Sequence, residues 1–168
     1  MGSLIEVYVD RANNEIMVSV SLKRLSEKKE DKLNFDLPDD ASFYSAVISH
    51  SYYAIFYAAK ALLLTKGIET GKDNKKSVHK QTLDEFETNF IKTNELDVNF
   101  LKIYNKMVVR ADKLLGIFKD EKWKRGHFTY QTIPQANKEP AEDSLKNAKF
   151  FVSNIMKVIK ESNPKGDK

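Results

Sequence analysis

Between residues 42 and 64 apolar and aromatic positions run almost without a break. Phe43, Val47, His50, Ala54, Tyr57, Ala61 and Leu64 recur in steps of four and three, the spacing of one helical stripe. Ile48, Tyr52, Ile55, Ala59 and Leu62 form a second stripe on the opposite side. A helix that is apolar nearly all round must be covered on most of its surface, so this segment predicts the hub of a helical bundle.

The flanking segments read as its cover. Ile5, Tyr8, Val9, Ala12, Ile16 and Val20, extended by Leu22 and Leu25, predict an amphipathic first helix over about residues 4 to 30. Pro38, Asp39 and Asp40 close a loop, with Asp40 or Ser42 able to cap the second helix, which should stop near Gly67. A polar, glycine-containing, lysine-rich loop leads to a third helix over 78–92, with Leu83, Phe86, Phe90 and Ile91 inward. Asp97 is the predicted cap of a fourth helix facing inward through Phe100, Leu101, Tyr104, Val108, Ala111, Leu115 and Phe118. Periodicity fails over 123–137, where Gly126 and Pro134 disfavour a helix and a structured loop is expected. Pro140 suits a first helical turn, and Glu139, Glu142 and Asp143 suit its positive end. The last helix then runs through Leu145, Ala148, Phe151, Val152, Ile155 and Ile159. No alternating strand pattern competes. The expected architecture is all-α, an up-and-down antiparallel bundle of about five helices, with one domain over 1–162 and a disordered tail over 163–168.

Composition narrows the functional classes. The 168 residues carry a net charge of +4, which permits contact with nucleic acid without implying a dedicated DNA-binding module. With no cysteine there is no disulfide framework, thiolate chemistry or cysteine zinc site, in keeping with a cytoplasmic location. The N-terminus lacks the pattern of a secretory signal, and His50, Lys60 and the tyrosine hydroxyls interrupt the apolar run, arguing against a membrane span.

The three histidines, His50, His79 and His127, match no local metal motif, so neither a metal nor a cofactor is assigned. His50, on the apolar stripe, reads first as a buried neutral imidazole bonded to a neighbouring helix, and otherwise as a binding residue. His79, beside Lys75, Lys76 and Lys80, is expected at an exposed helix start where the lysines could meet phosphates. Arg125, His127 and Tyr130 place a permanent cation, a titratable imidazole and a phenol on one irregular segment beside Trp123 and Lys124. Arginine holds phosphate bidentately, histidine exchanges protons near neutral pH, and aromatic faces stack on bases. Those are the groups that metal-free RNA cleavage requires. The alternative is that Phe128 and Tyr130 anchor the segment while Arg125 and His127 satisfy backbone carbonyls.

The HisSerTyrTyrAlaIlePheTyrAlaAlaLys core of the second helix, the SerValHisLys start of the third, the Arg125 segment and the closing AlaGluAspSerLeuLysAsnAlaLysPhePheVal helix together resemble the HEPN superfamily, over most of residues 5 to 160. The likeness is to its small prokaryotic stand-alone members. The resemblance implies a bundle of four to five helices that commonly forms a homodimer. It also implies either metal-independent ribonuclease activity or pairing with a minimal nucleotidyltransferase in a toxin–antitoxin system. Active members carry an arginine, then four to six intervening residues, then a histidine, with the two catalytic sites brought together across the dimer. Here Arg125 takes the arginine's position, His127 follows after one intervening residue, and Tyr130 stands after four. Tyr130 is also nearest to the tyrosine that is adenylylated in the nucleotidyltransferase-paired branch. The resemblance therefore offers a ribonuclease with Arg125, His127 and Tyr130 as its catalytic set and Trp123, Lys124, His50 and His79 in binding. Alternatively it offers an inactive module that binds a nucleotidyltransferase, a nucleotide or RNA.

Overall fold

In the computed structural model, residues 3–72, 76–124 and 138–162 are described, and from residue 113 to 124 the backbone alone. All regular structure among them is helical: α1 (Leu4–Glu27), α2 (Lys29–Asn34), α3 (Tyr44–Thr65), α4 (Val78–Phe86) continued by a π-helical turn (Glu87–Ile91), α5 (Val98–Lys124) and α6 (Lys138–Ser162). The expected all-α bundle is observed, built from four long rods and two short helices.

Side-chain partners give the directions. Tyr8 meets Tyr57, Glu15 meets His50 and Ser19 meets Val47, so α1 and α3 are antiparallel. Phe100 meets Phe150 and Arg110 meets Asp143, so α5 opposes α6. Lys23 meets Glu142 and Lys138 meets Glu27, so α1 opposes α6 as well.

The hub is the helix that periodicity singled out. On α3, Val47, Ala54, Ile55, Ala58, Ala59, Ala61, Leu62 and Leu63 are wholly inaccessible. Four of these are alanines, whose small side chains let neighbouring backbones approach closely, while each buried Ile or Leu contributes about 1.5–3 kcal/mol. By length and composition α3 could cross a membrane, but 67% of its apolar window is buried inside the bundle. The larger of two core clusters joins it to Ala12, Phe86, Phe90, Tyr104, Met107, Phe151 and Ile155, and a smaller one joins Val47 and Ile48 to Ala141 and Leu145. Ser19 is a buried polar element of the α1–α3 contact, its hydroxyl donating to the Val47 carbonyl (3.2 Å) and lying 3.3 Å from the Ser51 hydroxyl.

Several details differ from the sequence expectation. The first helix stops at Glu27, because Lys28 is extended, and α2 follows as a separate short helix. The Ser26 hydroxyl donates to the Leu22 carbonyl and accepts the Phe43 amide (both 2.8 Å), which ties the break to the start of α3. Phe43, rather than Asp40 or Ser42, holds the cap position of α3 and supplies no side-chain bond. Val20 is exposed. The expected stop of α3 is found: Gly67 takes φ +70°, and the Ile68 and Gly67 amides donate to the Leu63 and Leu64 carbonyls, a Schellman closure that glycine accommodates without strain. Asp97 accepts the Asn99 amide (2.7 Å) ahead of α5, as expected of a cap. Trp123 and Lys124, expected in the loop, are helical, since α5 continues through them. The tail 163–168 lies outside the described residues.

Candidate functional site

The cover of α3 is incomplete along one stripe. Ser49, His50, Tyr53, Tyr57 and Lys60 all retain solvent access, with Tyr53 at 38% the most exposed of the α3 aromatics. Tyr53 stacks beside Tyr57 (centroids 6.4 Å) and Tyr57 on Tyr8 of α1 (6.0 Å). Two cations lie on this ladder: the Arg11 guanidinium 5.4 Å from the Tyr57 centroid and the Lys60 ammonium 4.7 Å from that of Tyr8. One turn further along α3, His50 is half-buried, its Nδ1 2.5 Å from the Glu15 carboxylate. The expected bond to a neighbouring helix is thus present, made to a carboxylate at the rim of the stripe.

Beside this stripe, α3, α4 and α5 enclose a cavity of about 270 Å³ lined by Tyr52, Tyr53, Ser77, His79, Val108 and Asp112, among others. His79 is not the exposed residue the sequence suggested. The Ser77 cap, whose hydroxyl accepts the Lys80 amide, turns α4 so that the imidazole packs 4.3 Å from the Phe56 ring and is half-buried. Its Nδ1 lies 2.8 Å from the Tyr52 hydroxyl. Burial pushes the Tyr52 phenol well above its ordinary range, helped by the negative charge of Asp112. Burial also lowers the His79 imidazole, and Lys60 adds to that while Asp112 opposes it. The two therefore meet near neutral pH as phenol and uncharged imidazole. With the phenol donating to Nδ1, the ring carries its proton on Nε2.

Asp112 is exposed at the cavity and has no ion-pair or hydrogen-bond partner among the described residues. Lys80 on the same wall is neutralised by Asp84 (2.7 Å). The cavity therefore combines aromatic walls with an uncompensated acceptor, which suits a flat ring bearing N–H donors and disfavours a phosphate. Tyr104, one helical turn before Val108, is fully buried, and its hydroxyl has no partner among the described residues.

Arg125, His127 and Tyr130 lie outside the described residues, between α5 and α6. Trp123 and Lys124 are on the last turn of α5, the helix that supplies Val108 and Asp112 to the cavity. The start of α6 is held to the middle of α5 by a clamp that sequence reasoning passed over. Arg110 donates to the Asp143 carboxylate (2.6 Å), the Ser144 hydroxyl (2.9 Å) and the Pro140 carbonyl (3.3 Å), with Lys106 also on Asp143 (2.7 Å). Tyr52 was missed because a tyrosine on an apolar stripe reads as core. Asp112 was missed because a single carboxylate beside Ala111 carries no motif. Among the described residues no three histidine or acidic side chains converge as a metal site would require.

Comparison with known proteins places this geometry in a lineage. A family model described as HEPN domain matches residues 22–159. A Methanocaldococcus jannaschii protein named "Putative toxin MJ0142" is 39% identical over 93 residues, which cover 55% of this chain and 59% of that protein. A second from the same organism, "Putative toxin MJ0605", is 29% identical over 118 residues, 70% of this chain and 72% of its own. A "UPF0332 protein" of Thermotoga maritima is 28% identical over 116 residues, 69% of this chain and 73% of its own. The match with the first of these thus spans less than two-thirds of that relative's length.

Proposed function

Since the chain belongs to the HEPN family, we propose that it is a toxin-like protein whose homodimer cleaves single-stranded RNA without a metal ion. The observation that carries this reading is the incompletely covered, aromatic face of α3. It opens beside a cavity suited to a nucleobase, and one wall of that cavity is the helix leading directly to Arg125. A base held against Tyr53 and Asp112 leaves its phosphate outside, because the cavity offers no unpaired cation among the described residues. Arg125, with Lys124 nearby, balances the charge that gathers on the phosphate. His127 accepts the proton of the 2′-hydroxyl as that oxygen attacks the adjacent phosphorus, and the P–O5′ bond breaks as the 5′-oxygen takes a proton from solvent water. Tyr130 and Trp123 orient the substrate. The products are a 2′,3′-cyclic phosphate and a free 5′-hydroxyl. RNA incubated with purified protein in excess chelator should give those ends, and an Arg125→Ala variant should lose at least about 100-fold in rate. Intact RNA at high protein concentration overturns the proposal.

One observation favours a second reading. His127 follows Arg125 after one residue, closer than the spacing of active members. In that reading the bundle is an inactive module that binds a minimal nucleotidyltransferase, a nucleotide or RNA. Co-purification of such an enzyme, together with uncut RNA, would select it.

A further inference from the structure

The distribution of unpaired cations points to a surface remote from α3. Among the described residues most lysines and arginines have a carboxylate, a carbonyl or an aromatic ring as partner. Those without one are Lys102, Lys146, Lys149, Lys157 and Lys160, while Lys28 makes no close ion pair and acts only through its charge on Asp31. Four of these stand on α6 at helical spacing and all four are exposed, forming a single outward stripe with Ser153. No acidic residue interrupts α6 between Asp143 and Glu161. From Lys146 to Lys160 the stripe is about 21 Å long at the α-helical rise.

A shallow groove between α1 and α6, of about 560 Å³, adds Lys28 to the near end of the stripe. Its two acids are already matched. Glu27 and Glu142 are both contacted by Lys23 (2.7 and 3.2 Å) and by Lys138 (3.4 and 3.8 Å), and Arg24 is held by Asp31. The groove therefore keeps a positive excess from Lys28, Lys146 and Lys149. Beside the stripe, Phe150 is 50% exposed, one ring face stacked on Phe100 (5.8 Å, 20°).

We infer that the outer face of α6 binds single-stranded RNA, the lysines meeting successive phosphates and Phe150 stacking on a base. The inference rests on the RNA-cleaving reading and extends it by naming the surface that holds the strand away from the reacting phosphate. Four lysines along about 21 Å match roughly three to four phosphates of an extended strand, and an exposed aromatic beside a basic track is how sequence-tolerant single-strand binders are built. A membrane surface is the poorer fit: the apolar face of α6 is spent in the core, leaving Phe150 as its one large apolar side chain facing outward. A duplex would find no use for the phenyl ring.

The test is fluorescence anisotropy with a labelled 12-nucleotide RNA carrying 2′-O-methyl groups, which cannot be cleaved by 2′-hydroxyl attack, titrated with wild type, K146E/K149E/K157E and F150A over a range of salt. The triple variant should bind at least about 10-fold more weakly, and its log–log salt slope should shrink by about 2. F150A should weaken binding about 5-fold with the slope unchanged. K72E, at an exposed lysine already paired with Glu69, should bind like wild type, and thermal melting should show every variant folded. An unchanged affinity and slope in the triple variant overturns the inference, as does equal binding of anionic vesicles or duplex RNA with F150A without effect. The two readings fail separately. Binding that depends on the stripe, with natural RNA left uncut, removes the nuclease and keeps this surface; cleavage with a stripe-independent affinity does the reverse.

Discussion

The hydrogen bond between Tyr52 and His79 joins two groups whose ionisation burial opposes, and this sets a dependence of stability on pH. In the folded protein the imidazole is harder to protonate than in the unfolded chain, where it returns to its ordinary value near 6.5. The unfolded state therefore binds the proton more readily, so stability rises with pH across that interval. The contribution is complete above about pH 6.5 and is lost as pH falls through the depressed folded value. Asp31 and Asp84, held low by hydrogen bonds from Arg24 and Lys80, titrate below this window. Urea denaturation at pH 7.5, 6.5 and 5.5 should show a falling midpoint for wild type and a flatter profile for His79→Gln, and parallel profiles would remove His79 as the cause. Nothing in the sequence announced the pair. A histidine flanked by lysines at a helix start reads as solvated, and only the turn set by the Ser77 cap reveals that it faces Phe56 and Tyr52.

At the scale of the elements, periodicity was sufficient wherever a helix has a single buried face. The inward positions expected on the third and last helices are the ones that are covered, Phe86, Phe90, Phe151, Val152, Ile155 and Ile159 among them. What the pattern could not show was the break at Lys28, which depends on a bond between Ser26 and Phe43 from a different part of the chain. It also could not say which stripe of α3 stays uncovered, because a helix apolar on all sides gives no preference among its faces. The alanines of α3 carry a direct test of the hub. Ala58 is wholly inaccessible, so Ala58→Leu forces added methylenes into a filled core and should cost about 3 kcal/mol, near the upper end for overpacking. Val109→Ala, at a position 52% exposed, should remain within about 0.5 kcal/mol of wild type. Chemical denaturation measures both. A tolerated Ala58→Leu would mean that α3 is not enclosed as described.

For the whole molecule, the sequence offers Arg125, His127 and Tyr130 as candidates that lie outside the described residues, while the structure describes the helices on either side of them, with the cavity along α5 and the Arg110 clamp at the start of α6. Arg110 holds the start of α6 to the middle of α5 through three groups of α6, and Lys106 adds a second contact to Asp143, so the first turn of α6 is set in a fixed frame on α5. A frame of that kind matters most if catalytic groups from two copies have to meet. Should each reactive centre draw Arg125 from one subunit and His127 from the other, neither Arg125→Ala nor His127→Ala homodimers can cleave. Mixing them changes this, because a heterodimer contains one centre with both groups intact and one with neither. Random reassortment makes half the dimers mixed, each with one working centre of two, so activity should recover to about a quarter of wild type. The measurement is RNA cleavage after the two inactive variants are unfolded together and refolded, compared with each refolded alone. No recovery, with dimers demonstrated by sedimentation, would place both residues within one subunit and leave α5, α6 and the cavity of a single bundle to carry the reaction.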